Sequence, residues 1–382
     1  MAAIEFRVPK GAILFTREGL SYEFRENLGE AHHGLNLLLA RPHKQDGEPL
    51  GKVLLKAVGM PSVQGGIRVF KAREKLEEQV RLAAYLQHPG ILRVHGMHKA
   101  EGAWYVITDH PSGNSLNDVL ALVMECERWF SPLFALHVGA QVAGALHHAH
   151  TAKDENGRPL GIVHRAIDLE HVFVDWSGEV QVSDFGLAFS SLPGRVASTV
   201  RRPQGDTYFS SPEMLLTGRV DARSDLFALG LVMLELATGR NLLHPPEGVP
   251  PQALAALSRK KLAGMNRAIK RARLAGCDEA VEEIIMRAAT FTPEDVEAVT
   301  AGLPDTLRVP LCKLLQRSPA ARYQSAQELE ADLRRWLGET FGAKEAGAEL
   351  KAVADESGER MADMGLHRPR PRARTQDTIT TN

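Results

Sequence analysis

Cysteine is scarce in this chain, and the few residues present are scattered. The 382 residues include three cysteines, Cys126, Cys277 and Cys312. Their wide separation excludes a disulfide framework and the paired spacing of a zinc site. It fits a reducing, cytoplasmic compartment. Long apolar runs are missing as well. The most apolar stretch, Leu226 to Ala237, contains Glu235 and is too short to span a bilayer. It reads as a buried helix, and no membrane span is expected. The first residues, Met1 to Arg7, lack a basic region followed by an apolar segment, so no signal peptide is expected. Excess charge of either sign is absent, the formal net charge being −1. Nothing in that balance points to nucleic acid or a charged membrane surface as partner. What remains, 44% hydrophobic and 24% charged residues, is the composition of a globular domain with a sizeable core.

Three zones differ in texture. From about Leu20 to Thr108, short apolar runs alternate with Gly, Pro and Asn. Leu35 to Ala40, Lys52 to Lys56 and Trp104 to Thr108 read as strands. Arg68 to Gln87 has helical spacing through Phe70, Leu76, Val80, Ala83 and Ala84, and His88-Pro89-Gly90 ends it. The second zone is mainly helical. Leu116 to Glu127 and Leu133 to His150 are helices, and Val172 to Val174 and Val180 to Val182 are short strands. A Ser/Gly/Arg-rich loop from Ser190 to Ser211 precedes further helices to about Leu337. The third zone, from Gly338, holds a charged helical segment without a broad apolar face, then a basic, Pro-rich run from His367 to Arg374. It is expected to be a flexible tail. The expected divisions are an N-terminal extension (1–19), a two-lobed α+β domain (20–337, small lobe about 20–108, large lobe about 112–337) and the tail (338–382). A ligand cleft is expected between the lobes.

Four motifs occur in strict order: His164-Arg165, Val172-Phe173-Val174, Asp184-Phe185-Gly186 and Ser211-Pro212-Glu213. Asp225 to Gly230 and Arg322 complete the series. Together they resemble the protein-kinase family, in particular bacterial Ser/Thr kinases, over roughly residues 20 to 337. The resemblance implies a small strand-rich lobe over a large helical lobe. It also implies ATP as ligand with magnesium or manganese.

Phosphoryl transfer relies on positioning and charge neutralisation more than on covalent chemistry. On the resemblance, Lys56 is the strand lysine, and Leu54 stands where a small alanine normally lies against adenine. The helix glutamate position is Gln79, with Glu78 beside it, so the usual ion pair to Lys56 is expected to be lost. The phosphate-covering loop, Gly29 to Asn36, keeps Gly29 and Gly34 but has Ala31 as its middle glycine. His32 and His33 are either phosphate contacts or solvent-facing loop residues. In the catalytic loop, Ala166 occupies the position of the catalytic base and cannot accept a proton. Asp168 replaces a phosphate-binding lysine, and His171 replaces a metal-binding asparagine with a poor magnesium ligand. Asp184 is retained, either to hold a metal or because its turn packs the core. Asp206 stands at a threonine position and would bring a second carboxylate towards Asp168. Thr108 guards the back of the pocket, and in the hinge Asp109-His110-Pro111 the proline has no backbone donor.

The residual nucleotide-binding set is therefore Gly29, Gly34, Lys56, Thr108, Asp109 and Asp184, with Asp184 the candidate metal ligand and no catalytic residue assigned. The scaffold residues His164, Glu213, Asp225, Gly230 and Arg322 are all present. That pattern implies a pseudokinase that binds ATP weakly and regulates or scaffolds a signalling protein or another kinase. Two alternatives are an atypical active kinase with a relocated base, or a metal held by Asp168, His171 and Asp184, and an ATP-sensing switch without transfer. The loop with Ser190, Ser191, Ser198 and Thr199 is either a solvated flexible loop or, if phosphorylated, a partner for Arg165. Thr375, Thr378, Thr380 and Thr381 offer further sites in the tail.

Overall fold

A computed structural model describes residues 8–31, 35–59, 66–126, 128–194 and 206–363. His32, His33 and Gly34, the loop residues Arg195, Ser198, Thr199, Arg201 and Arg202, and the tail threonines lie outside the described residues.

The small lobe is an antiparallel sheet in the order β1-β2-β3-β4-β6-β5. Its strands are β1 (Ile13–Arg17), β2 (Leu20–Ala31), β3 (Leu35–His43), β4 (Val53–Gly59), β5 (Val94–Ala100) and β6 (Ala103–Asp109). Alternation decides which face each side chain takes. Val53, Leu55 and Ala57 of β4 enter a core with Phe15, Tyr22, Phe24, Leu38, Tyr105 and Ile107. Leu54 and Lys56 therefore face the other way, towards the large lobe. Helix α1 (Gly66–Ala83) packs on the sheet through Leu76, which clusters with Leu35, Val58 and Val106. Ile13–Arg17, assigned from sequence to a separate N-terminal extension, is instead the edge strand of this sheet, paired with β2. The short β5 has no clean alternation of buried and exposed residues, which hides it from a pattern reading.

The large lobe begins with the two-residue strand β7 (Asn114–Ser115), helix α2 (Leu116–Glu125) and helix α3 (Pro132–Thr151). Strands β8 (Val172–Val174) and β9 (Val180–Val182) join β7 in a second sheet. Helices α4 (Pro212–Thr217), α5 (Ala222–Thr238), α6 (Pro251–Ala255), α7 (Arg259–Leu274), α8 (Glu279–Thr290), α9 (Pro293–Val299), α10 (Asp305–Leu314) and α11 (Ala326–Leu337) complete it. The apolar run 226–237 lies within α5, the buried helix expected. Asp221 and Ser224 close a capping box at its start. Gly230 sits against Leu314 and Leu315, where a Cβ would come within 2.9 Å of Leu314. The architecture is thus the two-lobed α+β arrangement expected. No helix among the described residues is long and apolar enough to cross a membrane.

The tail expectation needs correction over its first half. Ala343–Asp363 is a helix, α12, docked on α2 and α3. Its stripe of Ala346, Leu350, Val353 and Ala354 is buried. Glu349 accepts hydrogen bonds from Ser131 N (2.6 Å) and Ser131 Oγ (2.7 Å). Gly178, at φ +86°, permits the backbone contact, since a Cβ there would lie 1.9 Å from the Ala343 carbonyl. The stripe is narrow and alanine-rich, so its apolar signal is weak among the charges, although the i, i+4, i+7, i+8 spacing is there to be read.

Candidate functional site

A cleft of about 2120 Å³ runs between the lobes. Its roof carries Gly29, Leu37, Leu54 and Lys56, and its floor carries Phe173, Asp168, His171 and Asp184. The direction of Phe173 follows from period 2, because Val172 and Val174 enter the core and turn Phe173 towards the cleft. Sequence reasoning read that tripeptide as a short strand and a motif but missed the aromatic floor. Leu54 above and Phe173 below narrow the slot where a planar base would lie.

The back and hinge of the cleft are already engaged. Thr108 is buried, and its hydroxyl donates to the Leu54 carbonyl at 3.3 Å. Asp109 N–H donates to Arg93 O at 2.9 Å, and the Asp109 carboxylate meets His95 Nε2 at 2.5 Å. Pro111 lines the cleft and has no N–H to offer. Neither Asp109 N–H nor residue 111 can therefore donate to a purine edge.

At the far end four side chains form a chain of charges. Lys56 Nζ lies 2.6 Å from Asp184 Oδ1. His171 Nε2 lies 3.8 Å from Asp184 Oδ2, and His171 Nδ1 donates to Asp168 Oδ1 at 2.7 Å. Asp168 Oδ1 also accepts the backbone N–H groups of Glu170 and His171, each at 3.0 Å. Asp184 sits in the left-handed region (φ 59°) and accepts Gly186 N–H at 3.0 Å. Burial alone would raise the carboxyl of Asp184, but the Lys56 ammonium, then His171, outweigh it and hold it far below its ordinary range. Burial opposes charge on His171 too. Asp168, then Asp184, override it and push the imidazole up to about 9. Asp168 is lowered in turn, His171 outweighing its burial.

Gln79 is buried beside this turn, its Oε1 3.1 Å from where a Cβ on Gly186 would sit. The ion pair of Lys56 is made with Asp184, while Glu78 faces Lys75 Nζ at 3.5 Å.

Ala166 is buried, and its N–H donates to His164 Nδ1 at 3.2 Å. The loop is held from below by Asp225 at the start of α5, which accepts His164 N–H and Arg165 N–H, each at 2.8 Å. His164 Nε2 donates to Ser183 O at 2.8 Å, and its ring meets Phe185 edge-on. Arg165 bonds the carbonyls of Leu187 and Ala188. Sequence reasoning left this guanidinium as one possible partner of a loop phosphate; among the described residues it braces the backbone just after Asp184-Phe185-Gly186.

Asp206 caps a short turn by accepting Tyr208 N–H at 2.9 Å. Burial pushes it up to about 6; the Tyr208 N–H opposes, and Asp168 and Glu170 add to the rise. A raised carboxyl binds its proton better in the folded state, so it destabilises the fold above pH 6, and that penalty fades as pH falls towards 3.8. Asp206→Asn keeps the cap and removes the charge. It is expected to stabilise the protein by roughly 1–3 kcal/mol at pH 8 and to lose that gain near pH 4, as read from denaturant melts at the two pH values.

Magnesium and manganese ask for several hard oxygen ligands. Here the one carboxylate in place, Asp184, is held by Lys56 and faced by a ring nitrogen, and Asp168 is committed to His171. Among the described residues no group of three His, Cys, Asp or Glu side chains converges to hold a metal ion. The donor set does not fit the metal that the resemblance implies, nor the alternative of a metal shared by Asp168, His171 and Asp184.

A protein kinase domain model matches residues 64–331. Over 304 residues the chain is 30% identical to tyrosine-protein kinase MasK of Myxococcus xanthus, covering 74% of this chain and 44% of that protein. It is 24% identical over 260 residues to serine/threonine-protein kinase PrkC of Bacillus subtilis, covering 68% and 33%. It is 27% identical over 267 residues to serine/threonine-protein kinase PknB of Mycobacterium tuberculosis, covering 68% and 35%. The chain thus spans less than half the length of these relatives.

Proposed function

The chain belongs to the protein kinase family, and on that premise we propose that it is a pseudokinase, a regulatory or scaffolding signalling module with absent or severely reduced phosphotransfer. The observation that carries the reading is the buried methyl group of Ala166 where a proton acceptor is required. Loss of a positioned base alone lowers the rate by roughly 10²–10⁴-fold. The locked Asp168–His171–Asp184 chain, Leu54 over the base slot and Pro111 in the hinge add to that loss. The scaffold is in contrast complete, which suits a protein whose surfaces bind another kinase or a signalling partner. A cytoplasmic location is part of the proposal, in keeping with three cysteines that form no disulfide.

A second reading, an ATP-sensing switch without transfer, is favoured by one observation: Lys56 remains in the cleft beside open volume. Two measurements test both readings. Incubation with labelled ATP, magnesium or manganese, and a generic Ser/Thr/Tyr substrate is expected to give background transfer only. Robust transfer that Lys56→Ala abolishes would overturn the pseudokinase reading and restore an active kinase. Thermal-shift titration with ATP separates the switch, which must be stabilised, from a module that is indifferent to nucleotide.

A further inference from the structure

We infer that the cleft takes a phosphate-bearing ligand without a divalent cation, Lys56 Nζ and His171 Nε2 holding the places beside Asp184 that a metal would need. This deepens the pseudokinase reading and rests on it. The two oxygens of Asp184 face different partners, Oδ1 the Lys56 ammonium at 2.6 Å and Oδ2 the His171 ring at 3.8 Å. A magnesium ion would have to draw one of those oxygens to about 2.0–2.1 Å and displace its partner. Neither partner is free to leave. Lys56 is nearly buried on a central strand. His171 is tied through Nδ1 to Asp168, and swinging it out would strip a carboxylate whose side chain is 3% exposed. Neither form of the ring suits magnesium, since a neutral imidazole nitrogen is too soft a donor and an imidazolium repels the ion.

The same arrangement receives an anion. Lys56 and the His171 ring edge lie along the phosphate end of the cleft; both are shared with Asp184, and a phosphate would draw on the N–H groups of the Lys56 ammonium that do not point at that carboxylate. Above them Gly29, at φ +111°, has no atom of the described residues within 4 Å of where a Cβ would sit, so the backbone of β2 itself does not close over the phosphate end. The hinge offers little to a purine, so recognition rests on the phosphates. The chemistry is that of a di- or triphosphate, whether carried by a nucleoside or inorganic.

The test is calorimetric and thermal-shift titration of the full chain with ATP and with inorganic tripolyphosphate, each in EDTA and in excess magnesium. Saturable binding in EDTA, with affinity unchanged or weaker in magnesium, is expected. Similar affinities for the two ligands place recognition on the phosphates, and tighter ATP binding adds a base contact; both outcomes support the inference. His171→Asn is expected to make magnesium tighten ATP binding about 10-fold, because an oxygen donor replaces the ring. Binding by the wild type that is at least 10-fold tighter with magnesium overturns the inference, as does a lack of binding in both buffers. Either failure without phosphotransfer leaves the pseudokinase reading standing, whereas phosphotransfer would remove that reading itself.

Discussion

Asp184→Asn is expected to lower the melting temperature of the protein by roughly 10 °C. In a metal-dependent site an uncompensated carboxylate is a strained feature, and its neutralisation is neutral or stabilising. Here the carboxylate is compensated twice, by Lys56 at 2.6 Å and by the His171 ring at 3.8 Å. Asn keeps the shape and the acceptor for Gly186 N–H, so the substitution isolates the charge. Removing one partner of a buried pair costs about 3–5 kcal/mol, and a domain of this size loses about 2–4 °C per kcal/mol. The effect should depend on pH. His171 is raised in the fold from 6.5 to about 9, so its contribution is fully present below 6.5 and is lost as pH rises through 9. Asp184→Asn removes one of the carboxylates behind that rise and should move the loss to lower pH. Melts recorded from pH 6 to 9.5 on both proteins provide the check. An unchanged or raised melting temperature would mean that Asp184 is a vacant ligand rather than a structural anion.

Arg322→Ala should be of comparable size for a different reason. The guanidinium is buried and meets both oxygens of Glu213 at 2.9 Å. Its remaining donors reach the carbonyls of Gln316 (2.7 Å), Arg223 (3.0 Å) and Arg317 (3.2 Å), and it stacks over Phe227 at 4.7 Å. Truncation takes two charged donors from the Glu213 carboxylate, leaving it Ser224 Oγ at 2.7 Å, and one donor from each of three carbonyls, a loss of about 3–5 kcal/mol. Arg322→Lys keeps the charge but not the planar fork, so most of the loss should persist. Guanidinium chloride denaturation of the two variants and of Glu213→Gln measures it. Equal stability of Arg322→Lys and wild type would show that charge alone suffices.

These two sites differ in how much of them the chain shows. The Glu213–Arg322 pair is anticipated by the family resemblance, in which the arginine at this position pairs with the glutamate of the Ser-Pro-Glu segment. The partner of Lys56 is not. Gln79, Glu78 and Asp184 all come from segments that converge only when the lobes close, and side-chain reach then selects Asp184. Asp168 and His171 are three residues apart and individually visible as departures from the family pattern. Their mutual bond depends on the tight turn that aims two backbone N–H groups at the same carboxylate oxygen. That Arg165 holds the Leu187 and Ala188 carbonyls is likewise visible only in the fold.

What the sequence alone determined is the family, the two-lobed α+β architecture and the identity of the group at each site position, above all that residue 166 has no proton acceptor. A missing functional group is a local fact, and no packing can restore it. Tertiary structure decided the rest: that β1 belongs to the sheet, that α12 docks on α2 and α3, and that Lys56, Asp184, His171 and Asp168 neutralise one another. These depend on which segments meet, through narrow apolar stripes and ångström-scale ionic distances that linear spacing does not encode.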